Sequence, residues 1–183
     1  METLNEITLP ETKPAMEWIG DRPVQKMSLT RKHSRLQAAF IRALEDWAGN
    51  RGEVGPEWRF RANAPGESIH PLVPDVAYIS HTRLRPLSPR DRETPLIAPA
   101  VVVEILSPDD RQKDVDKKRR AYFAWGVMLE IIVDPETRNI DVYDSAGRYE
   151  RVEATVEMYS PPVIPDLRLP LRAMFEKLDI PAE

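Results

Sequence analysis

Residues 100–126 decide the fold, and they read AVVVEILSPDDRQKDVDKKRRAYFAWG. The first seven are mostly β-branched or aliphatic, which is typical of a strand buried in the centre of a sheet. The run Ser-Pro-Asp-Asp that follows predicts the start of a helix, which continues to Trp125 and ends at Gly126. A buried strand that leads directly into an amphipathic helix predicts a sheet covered by helices.

Periodicities outside this stretch extend the same architecture. Apolar residues at helical spacing predict a helix over 30–47, capped by Thr30 or Ser28. Alternating or continuous apolar runs predict the other strands, at 58–62, 73–79, 128–133, 140–143 and 149–152. A last amphipathic segment, 171–178, predicts a short helix. This order predicts an α/β or α+β domain, in which helices flank a mixed β-sheet.

Two segments lack a sustained period. Residues 1–27 contain three prolines and are expected to form an irregular N-terminal arm, which leaves 28–183 as a single domain. Residues 80–95 are polar, broken by proline and rich in arginine, so we expect a positively charged loop there.

The composition restricts the class of protein. The chain has 183 residues, a net charge of −4 and no cysteine. Its length suits one domain, and the lack of cysteine excludes disulfides, thiolate metal sites and cysteine nucleophiles. No apolar run reaches the roughly 20 residues of a membrane span, so we expect a cytoplasmic protein with no membrane segment. The acidic charge argues against coating nucleic acid by bulk electrostatics but is compatible with a local basic groove.

Charged residues stand at three positions where the pattern predicts apolar ones. Asp75 opens one strand, and Glu104 interrupts the most hydrophobic strand. Two carboxylates on neighbouring strands repel each other, and a divalent cation such as Mg²⁺ or Mn²⁺ relieves this because it prefers oxygen ligands. Lys118 lies on the inward stripe of its helix, where an ammonium can orient a water or stabilise developing negative charge.

Each of these residues also has a purely structural interpretation. Asp75 follows a proline and could end a turn. Glu104 could form a buried ion pair with Lys118 or Arg120. Lys118 could pair on the helix surface with Asp114, four residues before it. Because all three interpretations would have to hold together, the residues jointly favour a site.

A succession of short motifs runs along the chain: Pro74-Asp75-Val76, Val102-Val103-Glu104-Ile105-Leu106-Ser107-Pro108, Asp114-x-x-x-Lys118-x-x-x-Tyr122, Gly126-Val127 and Val133-Asp134-Pro135. Their order and spacing resemble the Uma family of restriction-endonuclease-like proteins, within the PD-(D/E)XK nuclease superfamily. Each motif alone is weak, and their combination over most of the chain carries the resemblance. It implies a restriction-endonuclease-like fold, with a mixed sheet flanked by helices.

The resemblance also implies a divalent metal, Mg²⁺ or Mn²⁺, held by Asp75, Glu104 and the backbone carbonyl of Ile105. The superfamily's lysine normally lies two residues after the glutamate, where this chain has Leu106. Lys118, on the following helix, is expected to take its place, so the expected catalytic residues are Asp75, Glu104 and Lys118.

Two further residues are expected to be accessory to this site. His33 shares the apolar stripe of the first helix and can face the site, although a lone histidine is more often structural. Tyr122 lies one turn after Lys118 on the same helix face.

With these residues, the resemblance implies a Mg²⁺-dependent nuclease that hydrolyses phosphodiester bonds, with DNA as the expected substrate. Two alternatives stay open. The first is a catalytically inactive module with the nuclease fold that binds nucleic acid or protein. The second is a metal-dependent hydrolase of small phosphoesters, because a fold says little about its substrate.

Two surfaces are expected to serve the nuclease. Contacts with the phosphate backbone are expected from four arginines, which are Arg59, Arg61, Arg83 and Arg85. A homodimer would suit cleavage of both strands of a duplex, and its contact is assigned to three apolar residues, Tyr159, Val163 and Ile164.

Overall fold

A computed structural model of the chain describes residues 5–27 and 29–181. In chain order its elements are β1 (Met16–Ile19), β2 (Arg22–Gln25), α1 (Arg31–Ala48), β3 (Gly52–Pro56), β4 (Phe60–Ala62), β5 (His70–Leu72), β6 (Val76–Ser80), α2 (His81–Leu84), α3 (Pro89–Glu93), β7 (Val101–Ile105), α4 (Gln112–Trp125), β8 (Leu129–Asp134), β9 (Asn139–Asp144), β10 (Tyr149–Glu153) and α5 (Leu171–Glu176).

A six-stranded mixed sheet, in the order β10-β9-β8-β7-β6-β3, forms the centre of the molecule. β7 and β8 are parallel, and the other neighbouring strands are antiparallel. A parallel pair needs a long crossover connection, which α4 supplies. β7 has β8 on one side and β6 on the other, so it lies inside the sheet, as its run of valines predicts. The predicted mixed α+β architecture is confirmed.

Alternate residues of β7 point to opposite faces of the sheet. Val103 belongs to the apolar cluster that includes Phe40 of α1. Val102 belongs to the cluster that includes Tyr122 of α4. Glu104 is two residues after Val102, so it shares the face that α4 covers. This alternation explains why side chains of α4 reach Glu104.

The first helix forms where its periodicity predicts. Thr30 caps α1, because its hydroxyl accepts a hydrogen bond from the His33 backbone N–H at 3.3 Å. Gly49, with a φ of 53°, ends the helix in the left-handed region that favours glycine. Ser28, the other candidate cap, lies outside the described residues.

The expectation of an irregular arm is wrong for residues 16–25. β1 and β2 form an antiparallel hairpin around Gly20, whose φ is 66°. β1 lies against β5. Inward positions of β1 are Glu17 and Ile19, and a buried glutamate breaks the apolar alternation that identifies a strand. The division into an arm and one domain at residue 28 stays a prediction.

Other differences concern short elements. The predicted strand 73–79 forms only from Val76 onward, as β6, because Pro74 and Asp75 lie between it and β5, which ends at Leu72. The expected loop 80–95 contains α2 and α3, which are too short to show a helical period. β3 has the sequence GEVGP, which lacks apolar alternation. α4 begins five residues later than predicted, because Asp110 closes a turn by accepting a hydrogen bond from the Ser107 backbone N–H at 2.7 Å.

The assignment of Tyr159 and Ile164 to a dimer contact is wrong, and that of Val163 stays a prediction. Tyr159 and Ile164 are each only 8% exposed and belong to the core, and Val163 packs against it. Tyr159 also donates a hydrogen bond to Glu150 at 2.9 Å. Among the described residues, no helix combines the length and apolarity that crossing a membrane requires.

Candidate active site

Asp75 lies directly before β6, at the edge of the sheet where Glu104 stands one residue before the end of β7. The antiparallel register pairs Val76 with Val103, and one further step places Asp75 opposite Glu104. The Asp75 carboxylate is buried, with 4% of its side chain exposed. Its Oδ2 accepts a hydrogen bond from the Ile105 backbone N–H at 2.7 Å. Asp75 is therefore tied to the strand that carries Glu104 and does not merely end a turn.

Two basic groups contact the Asp75 carboxylate. Lys26 Nζ lies 2.6 Å from Oδ1, and His33 Nε2 lies 3.2 Å from Oδ2. Burial raises the pKa of Asp75, but Lys26 and His33 lower it by more, so this pKa lies well below its usual range. Gln37 supports the backbone here by donating to the Asp75 carbonyl at 2.9 Å. Asp75 is consequently ionised throughout the physiological range.

Glu104 is surrounded by donors from α4. Lys118 Nζ lies 2.9 Å from its carboxylate, and the Tyr122 hydroxyl donates to Oε1 at 2.6 Å. Burial raises the pKa of Glu104 to about 7, against the lowering effect of Lys118. The structure thus brings Tyr122, one of the expected accessory residues, into direct contact with the site.

Lys118 points inward, as its position on the helix predicts. Its ammonium lies 2.8 Å from Glu17 and 2.9 Å from Glu104, and its side chain is 8% exposed. The alternative pairing with Asp114 does not form, because Asp114 pairs with Arg22 at 2.6 Å. The ion pair between Glu104 and Lys118 does form. Its geometry fits both a catalytic lysine and a purely structural ion pair.

Two site residues escaped the sequence analysis, and both come from the hairpin of β1 and β2. Both carboxylate oxygens of Glu17 contact Lys118, and Oε1 also accepts a hydrogen bond from the Val73 backbone N–H at 2.6 Å. Lys26, just after β2, contacts Asp75. A Glu between Met and Trp in a segment that reads as irregular gives no signal of burial. The periodicity of α4, which turns Lys118 inward, implies only that a partner exists.

These residues line a cavity of about 390 Å³. Seven aspartate and glutamate side chains, four lysine and arginine side chains and His33 line it, so the cavity has an acidic excess. Its two arginines are Arg22 and Arg111, neither of which the sequence analysis selected. One lining residue, Glu130, is 1% exposed and has a carboxylate oxygen without a partner in the described part of the chain.

The arginines predicted to contact phosphate lie elsewhere. None of the four lines the cavity. Arg83 and Arg85 are exposed on and just after α2. Arg59 is half-buried, and Arg61 pairs with Glu6 at 2.6 Å. Their assignment to nucleic-acid binding stays a prediction.

The donor chemistry of this site fits a divalent cation. Asp75 and Glu104 offer hard oxygen atoms, and in the described state each contacts a lysine ammonium, which supplies the positive charge that a metal would supply. Within residues 5–27 and 29–181, no group of three or more His, Asp or Glu side chains is already arranged around a common metal position. Binding a cation here therefore requires these side chains to rearrange.

The fold is similar to that of nuclease-like proteins. A solved structure described as "a putative nuclease belonging to DUF820", from Anabaena variabilis ATCC 29413, is similar, with a TM-score of 0.79 and 27% identity over 93% of this chain and 94% of that chain. The chain belongs to the Uma2 family, described as "Putative restriction endonuclease", whose model matches residues 1–172. This confirms the family resemblance. No curated protein matches the chain.

Proposed function

We propose that this protein is a Mg²⁺-dependent nuclease that hydrolyses phosphodiester bonds in DNA. The observation that carries the proposal is the placement of Asp75 opposite Glu104 on neighbouring strands, where both carboxylates line one cavity. Lys118 forms an ion pair with Glu104 there. Membership of the Uma2 family supports the nuclease activity. The acidic excess of the cavity supports the metal, because a phosphate would be repelled without an added cation.

In the proposed site, Asp75 and Glu104 hold the cation, with the Ile105 carbonyl as a further ligand. When bound, the cation would supply Lewis-acid polarisation of a phosphoryl oxygen. The Ile105 N–H fixes one oxygen of Asp75, and the Tyr122 hydroxyl fixes one oxygen of Glu104.

Lys118 provides the site with a positive charge that belongs to the chain itself. Burial lowers the pKa of Lys118, but Glu104 and Glu17 raise it by more, so the ammonium stays protonated. A buried ammonium beside the metal-holding carboxylates stabilises negative charge that develops on the phosphate. Glu17 positions this ammonium from the opposite side, at 2.8 Å.

Nicking of supercoiled plasmid in Mg²⁺ tests the proposal. We expect Asp75→Asn, Glu104→Gln and Lys118→Met each to lower the nicking rate by about 100-fold or more, since each removes a charge that acts on the transition state. Lys117→Met is the matched control, because Lys117 is the neighbouring residue of α4 and its ion pair in the described structure is with Asp21, at 3.4 Å. Nicking that survives all three site substitutions would refute the assignment.

The second candidate function is a binding module that keeps the fold without catalysis. The lysine contact already present at each carboxylate favours it, because neutralised carboxylates need no metal. Calorimetry with Mn²⁺ separates the two functions. A nuclease site binds Mn²⁺ in the wild type and loses the binding in Asp75→Asn, whereas the module shows no saturable binding.

A further inference from the structure

A cation that binds the Asp75 carboxylate would have to compete directly with Lys26. Its Nζ donates to Asp75 Oδ1 at 2.6 Å and to the Val73 carbonyl at 2.8 Å. Its side chain is only 10% exposed. Oδ1 is also the carboxylate oxygen that the Ile105 N–H and His33 leave free, since both of those lie on Oδ2. The ammonium therefore occupies the side of Asp75 on which a ligand would approach.

The position of Lys26 in the fold allows it to leave. It follows β2, which belongs to a separate two-stranded sheet and not to the central one. A second acceptor is near, because Glu57 Oε1 lies 3.6 Å from the same Nζ. An ammonium displaced from Asp75 can stay paired with Glu57 and the Val73 carbonyl, so displacement does not leave a buried charge uncompensated.

We propose that the Lys26 ammonium occupies the cation position on Asp75 in the metal-free protein, and that a divalent cation binds by displacing it onto Glu57. This inference rests on the proposed metal site and adds to it a competitor supplied by the hairpin of β1 and β2. The metal-free site is then stable without a metal, and the apparent metal affinity is lowered by the fraction of molecules in which Lys26 is engaged.

Mn²⁺ binding measured by calorimetry tests the competition. We expect Lys26→Gln to bind Mn²⁺ about tenfold or more tightly than the wild type, because removing a competing state raises the binding-competent fraction. Lys117→Gln is the control for the loss of one positive charge near the hairpin, and its affinity is expected to stay within about twofold. Lys117 is suitable because its Nζ lies close to Gly20, at the hairpin turn, and outside the cavity lining.

A second measurement uses the wild-type protein and so does not depend on the folding of a variant. Acetylation of lysines by an amine-reactive ester, followed by mass spectrometry, reports how free each ammonium is. Lys26 is expected to react several-fold faster at saturating Mg²⁺ than without metal, because the Glu57 side chain is 34% exposed and that of Asp75 only 4%, so moving onto Glu57 exposes the amine. Lys117 serves as the internal reference, whose rate should not change.

The outcomes separate this inference from the proposed function. Wild-type binding of Mn²⁺ that Lys26→Gln does not strengthen, with Lys26 equally protected in both states, overturns the displacement and leaves the metal site standing. No binding by the wild type or by Lys26→Gln overturns both. If Lys26→Gln does not fold, the acetylation rates decide, and an unchanged Lys26 rate in a protein that binds Mn²⁺ refutes displacement.

Discussion

Asp75 and Glu104 are chemically the same kind of group in neighbouring positions, yet their surroundings shift their pKa values in opposite directions. Lys26 and His33 hold the pKa of Asp75 low, whereas burial raises that of Glu104 to about 7. Such a separation assigns different protonation states to paired carboxylates. At neutral pH Asp75 is ionised, whereas Glu104 is close to its pKa and is present in both the protonated and the ionised form.

The pH dependence of metal binding should follow Glu104. Below pH 7 the carboxyl is increasingly protonated and cannot hold a cation, so we expect Mn²⁺ affinity to fall by about tenfold per pH unit there and to level off above it. Titration of Mn²⁺ between pH 5.5 and 8.5 checks this. Glu104→Gln should bind weakly throughout and lose the step. A flat wild-type profile would contradict the assignment of Glu104 as a ligand.

Glu130 should make stability depend on pH for a different reason. Burial raises its pKa to about 8 from 4.5. Between these values the folded protein keeps a proton that the unfolded chain has released, so the free energy of unfolding falls as pH rises through this window. Glu130→Gln should remove this dependence and stabilise the protein at pH 8, by on the order of a few kcal/mol.

Urea unfolding at pH 5, 6.5 and 8 measures this difference. Glu67→Gln, at an exposed position, is the control and should leave the pH profile as it is in the wild type. Equal slopes for the wild type and Glu130→Gln would show that Glu130 is ionised in the folded protein.

At the scale of elements, the sequence predicts the helices and strands whose apolar pattern is long or strong. α1, β7 and α4 are long or strongly apolar, and their periodicity alone places Glu104 and Lys118 on one side of the sheet. β1, β2 and β3 escape prediction because each is short and carries charge, glycine or proline where a strand pattern expects apolar residues. The buried face of β1 depends on a partner 101 residues away, Lys118, which no local pattern reveals.

β3, at the edge of the central sheet, packs closely against β6. A Cβ added at Gly52 would collide with the Ile79 carbonyl oxygen and would lie 2.9 Å from the Ser80 backbone. We expect Gly52→Ala to lower the free energy of unfolding by about 1–3 kcal/mol, because backbone atoms of β6 must move. Gly55→Ala in the same strand meets only the Trp58 side chain, at 3.2 Å, and is expected to cost less.

Urea denaturation of the two variants beside the wild type provides the comparison, with equal m-values confirming that compactness is unchanged. Gly52→Ala as stable as Gly55→Ala would mean that β3 shifts freely along the sheet edge.

At the scale of the whole molecule, charge is distributed unfavourably for a nucleic-acid binder. The net charge is −4, the cavity has an acidic excess, and the exposed Arg83 and Arg85 lie outside its lining. Binding to DNA should therefore depend on a few local contacts, and its affinity should fall with salt in proportion to their number. The predicted arginines are the first candidates for those contacts.

If Arg83 and Arg85 contact phosphates, the double variant Arg83→Gln/Arg85→Gln should weaken binding to a labelled duplex. It should also reduce the slope of log affinity against log salt by about 2, one for each contact. Fluorescence anisotropy without divalent metal measures both quantities. Arg42→Gln/Arg148→Gln, at two exposed positions, makes the same charge change. Indistinguishable slopes for the two double variants would exclude Arg83 and Arg85 from the interface.

The hairpin of β1 and β2 has a consequence for the order in which the protein is made. Glu17 is synthesised 101 residues before Lys118, which is roughly 5–20 seconds at ordinary translation rates. During that interval the hairpin has no α4 to dock against, and an isolated two-stranded hairpin is only marginally stable in water. The hairpin is synthesised well before α4 and settles only after α4 has emerged, so the site becomes complete only when Lys118 reaches Glu17.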